Sequence, residues 1–193
     1  MKKPIIALIL AAVLLFGLSA VLDGMAQANA RAYHLQLMQT LLPGATEFTN
    51  EPYAGEDANI RSVHKSDIGF VVETVTYGYA GNITMLIGVS NEGKVTGLQV
   101  RQMQETYGLG GEALRNWEFL AQFLNTTGNV AIATSGVDAF SGATGESSTE
   151  AETYVDALTG ATVTSKAIAR SVNSAVGFVT GADASSEATS WGG

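Results

Sequence analysis

The chain has 193 residues, 46% of them hydrophobic, and its 10 basic and 18 acidic residues give a net charge of −8 at pH 7. This acidic balance argues against a nucleic-acid partner. The chain has no cysteine, which excludes disulfides, thiolate-bound iron–sulfur clusters and a thiol-linked flavin. The length suits one compact domain with appended segments.

Histidine is the remaining common metal ligand, and the chain has only two. Nothing in the sequence brings His34 and His64 together, so we expect each to be a surface or packing residue. The sequence therefore predicts no metal site.

The N-terminus carries an uncharged apolar run from Pro4 to Leu22, preceded by Lys2 and Lys3 and ended by Asp23. Such a run is long enough to cross a bilayer as a helix, and the two lysines favour a cytoplasmic N-terminus. We therefore expect residues 1–23 to anchor the chain in the inner (cytoplasmic) membrane by a single pass, with the remainder on the extracytoplasmic side. A cleaved signal peptide is the alternative, because residues 26–28 and 28–30 both have an A-x-A pattern.

A juxtamembrane helix is predicted over residues 24–44. Tyr33, Leu37 and Leu41 recur at helical spacing, and the dipeptide Pro43-Gly44 ends the pattern. Residues 45–67 are polar and poorly periodic, which indicates a lead-in loop with at most one short strand.

Three strands are predicted next, over residues 69–77, 83–89 and 95–103. All three are rich in β-branched and aromatic residues, and short turns at 78–82 and 91–94 separate them. Consecutive strands joined by short turns form an antiparallel meander.

The segment Glu105–Gly111, with the sequence ETYGLGG, is rich in glycine. Glycines either permit a turn into a helix or let the backbone approach a flat ligand closely, and this pattern alone fits both interpretations. Residues 112–124 are predicted to be helical, and their buried stripe would be Leu114, Trp117, Leu120, Ala121 and Leu124.

Residues 125–153 are rich in Gly, Ser, Thr, Ala and Glu. The stretch from Asp156 to Val179 that follows is the most informative part of the chain. From about Lys166 it predicts an amphipathic helix, and its first half is a hydroxyl-rich lead-in without a carboxylate after Asp156. The apolar face of that helix would comprise Ile168, Val172, Ala175, Val176 and Val179. The helix start suits a phosphate, although a plain Ser/Thr cap fits equally well. A nucleotide P-loop is excluded because Ser165 stands where a glycine must precede Lys166.

Asp156 to Thr164, DALTGATVT, resembles the D-x-x-[ST]-G-A-T-x-[ST] flavinylation motif of the FMN-binding domain family. That domain occurs in the G subunit of the Rnf electron-transport complex and in the C subunit of the sodium-translocating NADH:quinone reductase. The resemblance extends to the order of strands and to Glu105–Gly110, which is similar to the family's E-T-P-G-L-G with Tyr107 replacing proline.

The resemblance implies an α+β domain over residues 45–180, with an antiparallel sheet and flanking helices. It implies covalent FMN, esterified through its phosphate to Thr164. In this interpretation the backbone N–H groups around Thr162, Val163 and Ser165 neutralise the phosphate together with the Lys166 cation. Asp156 orients either the loop or the metal of the transferase during attachment. Gly108, Leu109 and Gly110 pack on the ring system, and Thr106 or Glu105 hydrogen-bonds its polar edge. The implied cofactor-binding residues are Glu105, Thr106, Gly108, Leu109, Gly110, Thr159, Gly160, Ala161, Thr162, Val163, Thr164, Ser165 and Lys166.

By resemblance, the function is electron transfer in a membrane-anchored subunit of an ion-translocating ferredoxin:NAD⁺ oxidoreductase (Rnf) complex. Its partners would be the cofactor-bearing subunits of that complex and the flavin transferase that matures it. The chain would act as a redox subunit without an independent catalytic site. Two alternatives stay open, namely a covalent-FMN subunit of another membrane redox chain such as the quinone reductase, and a non-redox exported binding module.

A second copy of the motif, Asp138 to Glu146, matches only as far as Thr144. Its acceptor position holds Glu146, which has no hydroxyl and would repel a phosphate, so we expect no flavin on Thr144 or Ser147. We expect Asp138 to Glu150 to form a loop, either a duplicated or a lining segment. Residues 181–193 are rich in small polar residues and are predicted to be a disordered tail.

Overall fold

The computed structural model describes residues 2–106, 110–133 and 153–181. Within these ranges four helices and seven strands form an α+β arrangement, which confirms the predicted class. The helices are α1 (Lys2–Leu41), α2 (Gly110–Ala113), α3 (Trp117–Ala121) and α4 (Thr162–Thr180); the strands are β1 (Thr49–Glu51), β2 (Ile60–Lys65), β3 (Gly69–Tyr77), β4 (Asn82–Ser90), β5 (Val95–Met103), β6 (Val130–Ala133) and β7 (Thr153–Asp156).

The five strands β1–β5 form one antiparallel sheet in chain order. The predicted meander is confirmed, and β3 and β5 have the predicted bounds. The lead-in segment was wrongly predicted, since it contributes two strands. Its apolar signal was weak because a register shift between Ile60 and Ser62 breaks the two-residue alternation, so that the buried residues Ile60 and Val63 lie three positions apart.

Helix α4 packs on β3 and β4 and supplies much of the core. Ile168 and Val172 of the helix are fully buried, in one apolar cluster with Val72 of β3 and Met85 and Ile87 of β4. The predicted apolar face of α4 is confirmed, but the helix begins at Thr162 rather than near Lys166. The hydroxyl-rich first turn has modest helix propensity, and burial of its residues against the rest of the domain outweighs that propensity.

The single helix predicted over residues 112–124 is wrong. The chain forms two short helices here, and Asn116 caps the second one through its Oδ1, which accepts a bond of 3.0 Å from the Phe119 amide. The break changes which residues face inward: Trp117, predicted to be core, is 69% exposed, whereas Phe119 and Phe123 are buried and their rings meet edge to face.

Residues 125–153, for which the sequence predicts no strand, contain strand β6 near their start. Strand β6 pairs with β7 in parallel, from Val130 beside Thr153 to Ala133 beside Asp156, and α4 packs against β6. This pairing fixes the position of Asp156, where the lead-in to α4 begins. The second motif copy, Asp138 to Glu146, lies outside the described residues, as does the predicted tail beyond residue 181.

Helix α1 runs without a break through the predicted anchor and the predicted juxtamembrane helix. The chain divides into two compact units, Met1–Leu37 and Met38–Gly193, and the buried side chains of Met38, Leu41 and Leu42 belong to the second. In the part of the chain that the structure describes, no helix combines the length and the apolar character that crossing a membrane requires. The membrane anchor therefore stays a prediction.

Candidate functional site

The start of α4 is an uncapped helix N-terminus. The chain leaves β7, turns at Gly160 with a φ of 78°, and enters the helix after Ala161, the N-cap residue, which makes no side-chain cap bond. The plain Ser/Thr cap allowed by the sequence is therefore wrong. Because the first amides of a helix have no partner within the helix, the amides of Thr162 and Val163 point to a position that favours an anion.

Ser165 contributes differently from the predicted role. Its amide donates to the Ala161 carbonyl at 2.8 Å, so this N–H is not free to bind a phosphate. Its buried hydroxyl donates to the same carbonyl at 2.9 Å and accepts from the Leu158 amide at 3.4 Å. Ser165 thus holds the loop against the helix.

Thr164 presents a hydroxyl without a hydrogen-bond partner. The side chain is 1% exposed, and its Oγ1 is buried and unbonded. The Gly110 Cα lies next to it: a Cβ added at Gly110 would come within 2.6 Å of Thr164 Oγ1 and also within 2.6 Å of Glu105 Oε2. The two oxygens are therefore separated by at most twice that distance, across a space that only a glycine at position 110 leaves open.

Glu105, directly after β5, has one carboxylate oxygen bonded and one not. Its Oε1 accepts from the Tyr79 amide at 2.7 Å, in the turn between β3 and β4, while Oε2 is buried without a partner. Gly78 lies so close to this carboxylate that a side chain there would collide with it. The site therefore combines the turn after β3, the end of β5, the start of α2 and the first turn of α4.

Two cations of α4 lie on its second and third turns, one helical turn apart. Lys166 is half-buried, and the Arg170 guanidinium donates to the Tyr77 carbonyl at 2.8 Å. Burial lowers the pKa of Arg170 from its usual value. Thr76 adds a second tie between the same elements, since its Oγ1 donates to the Ala167 carbonyl at 3.0 Å.

The remaining residues predicted to bind the cofactor are less buried or lie outside the described ranges. Thr159, Gly160 and Thr106 are exposed, Thr162 is half-buried, and Gly108 and Leu109 lie outside the described residues. Sequence reasoning missed Gly78, Tyr79 and Arg170. The one sequence feature that could have indicated them is the predicted meander, in which the β3–β4 turn and the segment after β5 lie at the same end of the sheet.

A half-open surface cavity of about 390 Å³ lies elsewhere, beside the C-terminal end of α4, where Tyr53, Val63 and Phe178 are among its lining residues. None of the predicted cofactor-binding residues lines it. No group of three or more His, Asp or Glu side chains within the described ranges is arranged to hold a metal ion.

Comparison with known proteins agrees with this geometry. The FMN-binding domain family matches residues 78–177, which include both Glu105 and Thr164. The chain is 34% identical over 110 residues to the G subunit of the Na⁺-translocating ferredoxin:NAD⁺ oxidoreductase complex of Acetobacterium woodii, a match that covers 56% of this chain and 48% of that protein. The chain thus spans about half the length of that relative.

Two further relatives are covered over more of their length. The G subunit of the proton-translocating ferredoxin:NAD⁺ oxidoreductase complex of Clostridium ljungdahlii is 32% identical, over 74% of this chain and 70% of that protein. The G subunit of the ion-translocating oxidoreductase complex of Methanosarcina acetivorans is 31% identical, over 75% and 73%. The chain therefore belongs to the FMN-binding domain family.

Proposed function

We propose that this protein is the FMN-bearing electron-transfer subunit of an ion-translocating ferredoxin:NAD⁺ oxidoreductase complex of the Rnf type, with the flavin esterified to Thr164. The observation that carries this proposal is the buried, unbonded Thr164 hydroxyl at the uncapped start of α4. Buried hydroxyls normally have a hydrogen-bond partner. An ester to a phosphate would remove the unpaired hydroxyl proton and replace it with a covalent bond to phosphorus.

The residues around Thr164 fit a phosphate monoanion. We expect the amides of Thr162 and Val163 and the positive end of the α4 dipole to stabilise its charge, and Lys166 adds a cation on the next turn. When bound, the flavin supplies reversible electron chemistry, while the protein holds and orients it. Gly110 has no side chain and therefore lets Thr164 Oγ1 and Glu105 Oε2 both lie close to its backbone, and Glu105 Oε2 is available to accept a bond from the polar atoms of the tethered group.

Thr164 is covered in the structure, and this has a consequence for attachment. With 1% of the side chain exposed, a transferase reaches Oγ1 only when the contact between Thr164 and the Gly110 backbone opens. Attachment thus requires either local opening at α2 or modification before this part of the domain closes.

The relatives support the assignment to a complex, because each is named as the G subunit of an ion-translocating oxidoreductase complex. In our proposal the partners are the other cofactor-bearing subunits and the flavin transferase. The apolar run from Pro4 to Leu22 anchors the chain in the inner membrane, with the N-terminus cytoplasmic and the flavin domain on the other side. The relatives' names specify Na⁺ in one case and protons in another, so we assign no coupling ion.

The test is a peptide mass spectrum of the denatured protein, made in cells with an active flavin transferase. We expect the mass of FMN minus water on the Thr164 peptide, and none in Thr164→Val. Thr162→Val is the matched control, since it removes a neighbouring hydroxyl of the same turn, and it should keep the flavin. Flavin on Thr144 or Ser147 would preserve the carrier function and overturn the site. Absence of flavin from the wild type would reject covalent attachment.

A further inference from the structure

Two unsatisfied oxygens meet at one point of the site. Thr164 Oγ1 and Glu105 Oε2 are both buried without a hydrogen-bond partner, and both lie within 2.6 Å of the position of a Cβ on Gly110. Leaving a buried polar atom unpaired costs roughly 1–3 kcal/mol, so such atoms are rare unless they serve a function. A hydroxyl that must lose its proton and a carboxylate oxygen that can take it are a chemically meaningful pair.

We propose that Glu105 is the proton acceptor for the Thr164 hydroxyl when the flavin is attached, so that the protein supplies the base for its own modification. This inference rests on the proposed function, because it concerns the same ester.

The reaction balances with a flavin dinucleotide as the donor. Thr164 Oγ1 attacks the phosphorus on the flavin side of the pyrophosphate, and the new O–P bond forms as the bond to the bridging oxygen breaks. A nucleoside monophosphate leaves with that oxygen. The hydroxyl proton passes to Glu105 Oε2 and from there to solvent, and nothing is oxidised or reduced. Free FMN would be a poor donor, since its ester would have to form by loss of water.

The geometry distinguishes Glu105 from its neighbours. Its Oε1 is held by the Tyr79 amide, and its Oε2 is left without a partner on the same side of Gly110 as the hydroxyl. Lys166 is a cation and cannot accept the proton, and Asp156 is exposed at the end of β7 with its amide bonded to Gln122. A positioned carboxylate that accepts the proton of an attacking hydroxyl is the arrangement protein kinases use for phosphoryl transfer.

The experiment follows flavin attachment over time with the full chain, FAD and an excess of flavin transferase, stopping the reaction with acid and measuring intact mass. Glu105→Gln is the informative variant, because the amide oxygen of glutamine still accepts from the Tyr79 amide but cannot take a proton. We expect its attachment rate to fall roughly a hundredfold or more, as for the loss of a general base. Glu105→Asp should recover part of the rate, and Glu118→Gln, an exposed glutamate of α3, should match the wild type.

A purely structural role for Glu105 would give a different result. Thermal unfolding of Glu105→Gln before attachment should match that of the wild type, which would show that the slow reaction is not a folding defect. If Glu105→Gln is folded and modified at the wild-type rate, the inference is wrong while the ester at Thr164 stands. If the wild type itself takes no flavin, the proposed function fails first, so the two failures are distinguishable.

Discussion

Thr76 of β3 and Thr164 of α4 are both buried threonines, yet only Thr76 is hydrogen-bonded. Thr76 Oγ1 donates to the Ala167 carbonyl and lies 2.9 Å from the Ser171 hydroxyl, whereas Thr164 Oγ1 has no partner. Removal of a bonded hydroxyl leaves its buried partner unpaired, and removal of an unpaired hydroxyl does not.

We therefore expect Thr76→Val to lower the free energy of unfolding by about 1–3 kcal/mol. Thr164→Val should leave that free energy unchanged or raise it, even though it abolishes flavin attachment. Urea denaturation of both variants, made without the transferase, measures the difference. A loss in Thr164→Val as large as in Thr76→Val would mean that the Thr164 hydroxyl has a stabilising partner before attachment.

Substitution of Gly110 tests whether flavin binding depends on the close approach of the Gly110 backbone to Thr164 and Glu105. In Gly110→Ala the added Cβ would lie 2.6 Å from both Thr164 Oγ1 and Glu105 Oε2, so the pair must separate. We expect flavin occupancy, measured as the ratio of flavin absorbance to protein mass, to fall sharply. Gly111→Ala is the matched control, because its Cβ would meet nothing closer than the Thr106 carbonyl oxygen at 3.2 Å. Equal occupancy in the two variants would contradict the predicted role of Gly110.

For single residues, the sequence predicts those that belong to a motif and misses those that only the fold brings to the candidate site. Glu105 and Thr164 were identified from short patterns, and the structure places their unbonded oxygens beside one another. Arg170, Tyr79 and Gly78 belong to no pattern, since their roles come from bonds across the domain. The Ser165 amide was assigned to a phosphate because residue type does not reveal which amide closes the first helical turn.

Among the elements, the C-terminal end of α1 meets the sheet at a pair of glycines. Gly88 of β4 and Gly97 of β5 lie opposite each other, and the backbone of Leu41 approaches both closely enough that a Cβ on either would collide with it. Thr96 Oγ1 donates to the Leu41 carbonyl at 2.6 Å. The two glycines therefore make the surface on which this end of the helix lies.

Gly88→Ala should accordingly destabilise the domain, by about 1–3 kcal/mol for overpacking against a rigid backbone. Gly24→Ala provides the contrast: it lies within α1 with nothing near its Cβ, and alanine should stabilise a helix interior by up to about 1 kcal/mol. Thermal unfolding of both variants decides this. A neutral Gly88→Ala would show that α1 can shift away from the sheet without loss.

A helix or strand was predicted accurately where its own local sequence determines it, and less accurately where it depends on contacts with other segments. Strands β3 and β5 are long, regular and rich in β-branched residues, so their bounds could be read directly. The split of residues 110–121 into α2 and α3 depends on one capping side chain, Asn116, and the burial of Phe119 rather than Trp117 follows from that break. Strand β6 exists only through its pairing with β7, which no local pattern indicates.

For the whole molecule, the division into two units separates the proposed anchor from the residues proposed to bind FMN. The residues proposed to bind FMN belong to Met38–Gly193, and so do nearly all the buried apolar side chains of the core. The apolar run from Pro4 to Leu22 precedes this unit. Our proposal therefore assigns membrane attachment to the run alone, and the two functions should be separable by truncation.

A fragment comprising residues 25–193 should fold, take flavin at Thr164 and melt like the full chain, because it keeps Met38, Leu41 and Leu42, which pack in the second unit. Fractionation of cells that make each form tests the anchor. The full chain should stay with the membranes after carbonate extraction, and the fragment should not. Release of the full chain by carbonate would contradict a retained anchor. A mature N-terminus near residue 29 or 31 would instead support the cleaved signal peptide, because cleavage at either site removes the apolar run and leaves the flavin domain intact.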